Sequence, residues 1–292
     1  MKICRFNDNR LGLVDVEANE VRDVTAALKV LPKVSYPLPH GDLMMANFAK
    51  VKREITRLAP RAPKKKLSSV KLLAPIANPG KIIGAPINYA KHIDEARKDA
   101  EIHAGGLKRL MSTPIGKWGL FLKANSALVG PSEGVVRRFP KRRTDHEVEL
   151  AVIIGRKGTN IKYKDALNYV AGYAIGLDMV IRGSEVQSFR KSVDTYAVLG
   201  PWMVTKDEIK DPDDLDLEIR VGKTLRQSSN TSNLIFDVRR LIEFGSSFYT
   251  LYPGDVIMTG TPEGVNRVKP GDVMHATIEK IGSMDVKVRG QS

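Results

Sequence analysis

Thr144-Asp-His-Glu-Val-Glu-Leu-Ala-Val-Ile-Ile-Gly155 is the stretch on which the reading of this 292-residue chain turns. From Val148 to Ile154 almost every residue is apolar and many are β-branched, the pattern of a strand buried on both faces. Side chains alternate along a strand, so Glu147 and Glu149 point to one side, roughly 7 Å apart along the chain. Two carboxylates on one face of a buried strand repel each other and are costly to desolvate. Either a divalent cation removes that cost, and hard oxygen ligands suit Mg²⁺, Mn²⁺ or Ca²⁺, or the strand starts at a sheet edge where both glutamates are solvated. A second apolar run, Gly172-Tyr-Ala-Ile-Gly-Leu-Asp-Met-Val-Ile-Arg182, carries a lone Asp178. A cation shared with Glu147 and Glu149 would give that aspartate its partner.

Composition sets the frame. Hydrophobic residues make up 42% of the chain and charged residues 27%, ordinary values for a globular protein of one large domain with a small appendage. No apolar run has the length of a membrane span, and the first residues lack the apolar core of a signal peptide. Cys4 is the only cysteine, so no internal disulfide forms and a reducing cytoplasm is the expectation. The net charge of +14 is concentrated at Lys64–Lys66 and at Arg137, Arg138, Lys141, Arg142 and Arg143. Only Phe139 interrupts these clusters, too few aromatics for a single-strand nucleic-acid platform. A solvated surface that attracts anionic substrates is the expectation.

Along the chain, residues 2–6 and 11–16 read as a hairpin. A helix capped by Asp42 is stopped by Pro60. The Pro- and Lys-rich residues 60–66 read as a linker, with a domain boundary near residue 70 that separates residues 1–70 from 71–292. His92 and Glu95 fall three apart at a helix start, so they share a face and can work as a base with its orienting carboxylate. The polar, Gly-containing segment from there to Lys117 suits a lid. Residues 188–202 read as an irregular connection, and the helix around Val238 as capped by Thr231 or Ser232. No Walker loop, dinucleotide fingerprint or zinc spacing is present.

Taken together, Asn88-Tyr-Ala-Lys-His-Ile-Asp-Glu95, Phe121-Leu-Lys123 through Gly130, Glu147-Val-Glu149, Asp178, Lys191-Ser-Val-Asp-Thr195, Leu199-Gly-Pro201 and Pro253-Gly-Asp through Gly-Thr-Pro-Glu-Gly-Val265 resemble the fumarylacetoacetate hydrolase superfamily. The segments occur in the family's order over about residues 75–290. The resemblance implies an α+β, β-rich fold: a mixed β-sandwich or roll catalytic domain, a small N-terminal α+β domain and a homodimer. It implies Glu147, Glu149 and Asp178 as metal ligands and His92, Glu95 and Lys191 as catalytic residues. Lys123, Glu185 and Thr261 are implied as substrate contacts. The chain departs from the family at Ile181-Arg-Gly-Ser-Glu185, where Gly183 replaces an aspartate and Glu185 stands in place of a substrate-facing glutamine.

The expected activity is hydrolysis of a carbon–carbon bond in a 2,4-dioxo acid, an acylpyruvate or fumarylpyruvate, through an enolate held by Mg²⁺ or Mn²⁺. Isomerisation or decarboxylation of an unsaturated keto diacid, dehydration of a sugar acid and tautomerisation of oxaloacetate use the same enolate and stay open as alternatives. A non-catalytic basic binding module is the alternative from another class. The expected partner is a small keto acid, with neither nucleic acid nor membrane.

Overall fold

A computed structural model describes residues 1–99 and 115–291; the expected lid falls largely outside the described residues. The α+β, β-rich expectation matches the fold: twenty strands among the described residues form sheets of twelve, three and five. The Val148–Ile154 strand lies in the twelve-stranded sheet, antiparallel to Val170–Asp178 on one side and to Val256–Met258 on the other. Every residue of Val148–Ile154 is buried, and the alternation shows why. Val148, Leu150, Val152 and Ile154 enter one hydrophobic cluster, Ala151 and Ile153 the other.

Outward from this strand the sheet continues through Val256–Met258 to Ile82–Gly84 in parallel, and then to Phe121–Lys123. In the other direction it runs through Val170–Asp178 to Ala197–Thr205 and on to Lys2–Phe6. The expected N-terminal hairpin is present, with Phe6 opposite Arg10. Because it pairs with Ala197–Thr205, residues 1–70 share the main sheet, and we propose the boundary near residue 70 as one of sequence and not of hydrogen bonding.

Several local expectations are corrected. The linker contains an edge strand, Lys64–Lys66, antiparallel to Glu20–Asp23. Three consecutive lysines there suit a sheet edge that must not pair further. The helix after Asp42 is split into Leu43–Ala46 and Phe48–Leu58, since the Asn47 side chain bonds the Leu43 carbonyl and competes with the backbone ladder. The helix around Val238 is capped by Asp237, which accepts from Arg240 N, and not by Thr231 or Ser232. The largest correction is Ala197–Thr205, a fully buried strand where an irregular connection was expected. Gly200-Pro201 disguised it. Pro201 sits where the register with Val170–Asp178 shifts between Tyr173 and Ile175, so the missing N–H is not needed by the ladder.

Close backbone approach between those two strands depends on Gly172, where an added Cβ would lie 2.3 Å from the Val204 carbonyl oxygen. Gly172→Ala should lower the unfolding free energy by about 1–3 kcal/mol, as overpacking against an unyielding group does. The check is a lower urea midpoint at unchanged m-value.

Candidate active site

Two neighbouring strands leave the main sheet at the same level. After Val148–Ile154 is traced back through Glu147, the chain belongs to Thr144–His146 of the three-stranded sheet. After Asp178 and Met179, it belongs to Val180–Ile181, which pairs with Thr144–His146. Glu147 and Asp178 therefore flank the crossing, joined by the Asp178 N–H to Glu147 carbonyl bond of 2.9 Å. Alternation adds Glu149, and the structure brings one carboxylate oxygen from each of Glu147, Glu149 and Asp178 within 4.8 Å of one another, all three residues buried. The solvated-edge reading of the glutamates is thereby excluded.

Cations surround this cluster. The Lys191 ammonium donates to Glu147 Oε2 at 2.6 Å and to Asp178 Oδ2 at 2.5 Å. Arg182 Nη2 donates to Glu147 Oε1 at 3.1 Å, and its Nε donates to the buried Asp145 at 2.8 Å. Lys123 Nζ donates to Asp178 Oδ1. Glu149 is served least: Gly260 N–H donates to Oε2 at 2.7 Å, and among the described residues no hydrogen bond reaches Oε1. Burial, followed by the negative charge of Asp178, pushes the Glu149 carboxyl well above the usual carboxylate range. Burial also pushes Glu147 up, but Lys191 and then Arg182 outweigh it and the net direction is down. Lys191 moves up, because Asp178, Glu147 and Glu149 together outweigh its desolvation. A buried hard-oxygen set with one under-coordinated carboxylate fits a divalent cation.

The second functional element comes from the parallel pair. The Ile82–Gly84 strand leads to Asn88, whose side chain donates to the Phe236 and Thr259 carbonyls and accepts from Phe236 N. This fixes the start of the Ala90–Lys98 helix, which carries His92 and Glu95. His92 Nδ1 lies 3.0 Å from Glu95 Oε2, and Glu95 Oε1 accepts from Gly264 N at 2.9 Å. His92, Glu147, Glu149, Arg182, Gln187, Arg190, Lys191 and Thr261 line one cavity, with Trp118 at its wall.

Two expected substrate contacts lie outside the lining of this cavity. Lys123 does not line the cavity: its side chain is 0% exposed and serves as a counter-charge to Asp178. Glu185 does not line it either. Arg142 clamps its carboxylate through two bonds of 2.8 Å, and Glu185 remains 37% exposed. That hydrogen bonding by Arg142 lowers the Glu185 pKa. Gln187, two residues further on, lines the cavity. The third expected contact, Thr261, lines the cavity.

Gln227 escaped the sequence reading. It lies on the Thr224–Asn230 strand of the five-stranded sheet, 79 residues from Val148 and 34 from Thr261, and no periodicity marks it. Its Oε1 accepts from Val148 N at 3.1 Å, and its Nε2 donates to the Pro262 carbonyl at 2.7 Å and to Thr261 Oγ1 at 2.8 Å. His146 Nδ1 completes the set at 3.2 Å from Oε1. Burial keeps His146 uncharged, lowering its pKa to about 4. Thr261 Oγ1 in turn donates to the Val148 carbonyl at 2.9 Å. Its one proton is thus committed, and toward the cavity Thr261 offers a lone pair only.

Three carboxylates that could hold a metal ion gather at a sheet crossing, in one cavity with a His–Glu pair on a helix start, within a mixed β-fold. The chain belongs to the fumarylacetoacetate hydrolase family: it matches the family described as "Fumarylacetoacetate (FAA) hydrolase C-terminal" over residues 81–289. It is 53% identical to a maleylpyruvate hydrolase of Aquipseudomonas alcaligenes over 289 residues, 99% of each chain. Its structure is similar to that of a maleylpyruvate hydrolase from Sphingobium sp. SYK-6 in complex with manganese(II) and pyruvate, with a TM-score of 0.82, 36% identity and 100% of both chains covered. It is also 37% identical to a mitochondrial oxaloacetate tautomerase of Rattus norvegicus over 243 residues, 79% of this chain and 73% of that one.

Gln227→Leu should strand the buried Val148 N–H, the Pro262 carbonyl and His146 Nδ1, at roughly 1–3 kcal/mol for each group left unpaired. A loss of at least about 3 kcal/mol in denaturant unfolding is the expected result.

Proposed function

We propose that this chain is a divalent-metal-dependent hydrolase that cleaves the C3–C4 bond of a 2,4-dioxo acid of the acylpyruvate class, with maleylpyruvate as the first substrate to test. The observation that carries the proposal is the meeting of the buried carboxylate cluster with the His92–Glu95 pair in one cavity. The 53% identity over 99% of both chains to a maleylpyruvate hydrolase favours hydrolysis over the isomerase, decarboxylase, dehydratase and tautomerase readings. The similarity to an oxaloacetate tautomerase keeps oxaloacetate in the substrate panel.

Glu147, Glu149 and Asp178 would hold the cation, Mg²⁺ or Mn²⁺ ahead of Ca²⁺, which would supply Lewis acidity to the oxygens of a 2-oxo acid. The rest of the chemistry belongs to side chains. Glu95, itself fixed by Gly264 N–H, accepts from His92 Nδ1 and leaves Nε2 free to take a proton from water. The water oxygen adds to the C4 carbonyl, and the C3–C4 bond breaks with its electron pair on C3. C4 departs as a carboxylate, and C3 takes up a proton to give pyruvate. Lys191, held by Glu147 and Asp178, places a fixed positive charge beside the developing enolate. The Thr261 lone pair is a site for a water proton, which suits it to orient the nucleophile.

The homodimer and the cytoplasmic location belong to the same proposal. They rest on the family resemblance and on the single buried Cys4. Light scattering at micromolar concentration should give twice 32.3 kDa.

Chelation should abolish pyruvate release from maleylpyruvate, and Mg²⁺ or Mn²⁺ should restore it. Glu149→Gln should weaken cation binding in calorimetry, since it removes one charge and one good ligand. Full turnover by protein shown metal-free by elemental analysis would overturn the proposal. His92→Ala should lower kcat by roughly 10²–10⁴ while leaving cation affinity in place; unchanged turnover would strip His92 of the base role.

A further inference from the structure

The basic groups around the cavity are not equivalent. Lys191, Arg182 and His92 are each matched by a carboxylate: Glu147 with Asp178, Asp145 with Glu147, and Glu95 respectively. Arg190 lines the same cavity, is only 4% exposed, and has no carboxylate partner among the described residues. Its two hydrogen bonds go to backbone: Nε donates to the Glu185 carbonyl at 2.7 Å, and Nη1 to the Ile181 carbonyl at 3.1 Å. Nη2 makes no hydrogen bond to any described residue. Two carbonyls orient a guanidinium without neutralising it, and an unneutralised buried charge is costly unless an anion arrives. Burial, and then the nearby Arg182, lower the Arg190 pKa against the upward pull of Glu147 and Glu185, neither of which is hydrogen-bonded to it through its carboxylate.

We propose that Arg190 is the specificity residue that receives a second carboxylate on the substrate's acyl end, so that the site selects dianionic over monoanionic acylpyruvates. The proposal rests on the acylpyruvate reading above and deepens it. Glu185, expected as a substrate contact, takes a different part. That carboxylate is turned away onto Arg142, and its backbone carbonyl holds Arg190 in place. The Gln187–Lys191 helix places Gln187, Arg190 and Lys191 on the cavity while Phe189 points outward at 69% exposure. One turn thus sets a positive charge on the carboxylate cluster and an adjacent guanidinium for the distal end. A planar guanidinium suits a carboxylate better than an ammonium does.

Two readouts test this. The first is the ratio of kcat/KM for maleylpyruvate to that for acetylpyruvate, whose acyl end is uncharged. Arg190→Met should lower this ratio about tenfold to a hundredfold, the usual span for a hydrogen bond to a charged group. The second needs no turnover: calorimetry with Mn²⁺ present, comparing 2-oxoglutarate with 2-oxopentanoate, which share chain length and differ by one carboxylate. The wild type should prefer 2-oxoglutarate, and Arg190→Met should lose that preference. Arg190→Lys, which keeps the charge and is the fallback should the Met variant not fold, should retain part of both ratios. A Lys variant as impaired as the Met variant, ratios that do not move, or a wild type with no preference would each overturn the role of Arg190. In that case the charge serves the outer hollow beside Phe139 and Phe189, which Arg190 also borders. A wild type that cleaves neither acylpyruvate, yet shows the binding preference and loses it in Arg190→Met, would overturn the hydrolase reading and leave Arg190 in its role.

Discussion

Three carboxylates withdrawn from water into an apolar sheet are the constraint that the surrounding structure answers. Each would be costly alone, and together they repel. The chain responds with an inner ring of Lys123, Lys191 and Arg182, and with Asp145 behind Arg182, itself held by Arg143 at 2.8 Å. The arrangement is uneven. Asp178 and Glu147 are each met by two cations, whereas Glu149 receives one backbone N–H. The unsatisfied hydrogen-bonding and ligating capacity is therefore concentrated on Glu149, the residue with most to gain from a cation. A metal-dependent hydrolase needs such an imbalance, since a fully compensated cluster would have no affinity left for an ion.

The position of the site follows from strand topology. Two strands cross between sheets beside Glu147 and Asp178, and a parallel pair ends just above them in the turns that carry Asn88 and Gly260. At Gly260 φ is +99°, and an added Cβ would lie 2.7 Å from Asn88 Cβ. Only glycine lets that turn approach closely enough for its N–H to reach Glu149. Functional groups gather where strands end because regular pairing stops there and side chains and N–H groups are freed for other partners.

Much of this was legible in the sequence, and for local reasons. Glu147, Glu149, Asp178, His92 and Glu95 are marked by charge inside apolar runs or by helical spacing, both short-range signals. What was missed depended on long-range placement. Ala197–Thr205 was hidden by a Gly-Pro pair that marks a turn in most contexts, yet here falls at a register shift. Gln227 reaches Val148 from another sheet, and nothing within its own hairpin announces that target. The partners of Lys123 and Glu185 depended on long-range placement too. Sequence position brought each to the neighbourhood of the site, but the choice of partner, Asp178 for one and Arg142 for the other, was made by packing.

The seam at Glu147 and Asp178 has a thermodynamic consequence. The cluster draws its ligands from the place where the three-stranded and twelve-stranded sheets part, and Gln227 ties the five-stranded sheet to the same spot. Whatever occupies all three carboxylates fastens the sheets together and binds the folded chain alone. By mass action its concentration then adds to unfolding free energy as RT ln(1 + [L]/Kd). A divalent cation held there would thus make the stability of the folded chain depend on the supply of that ion.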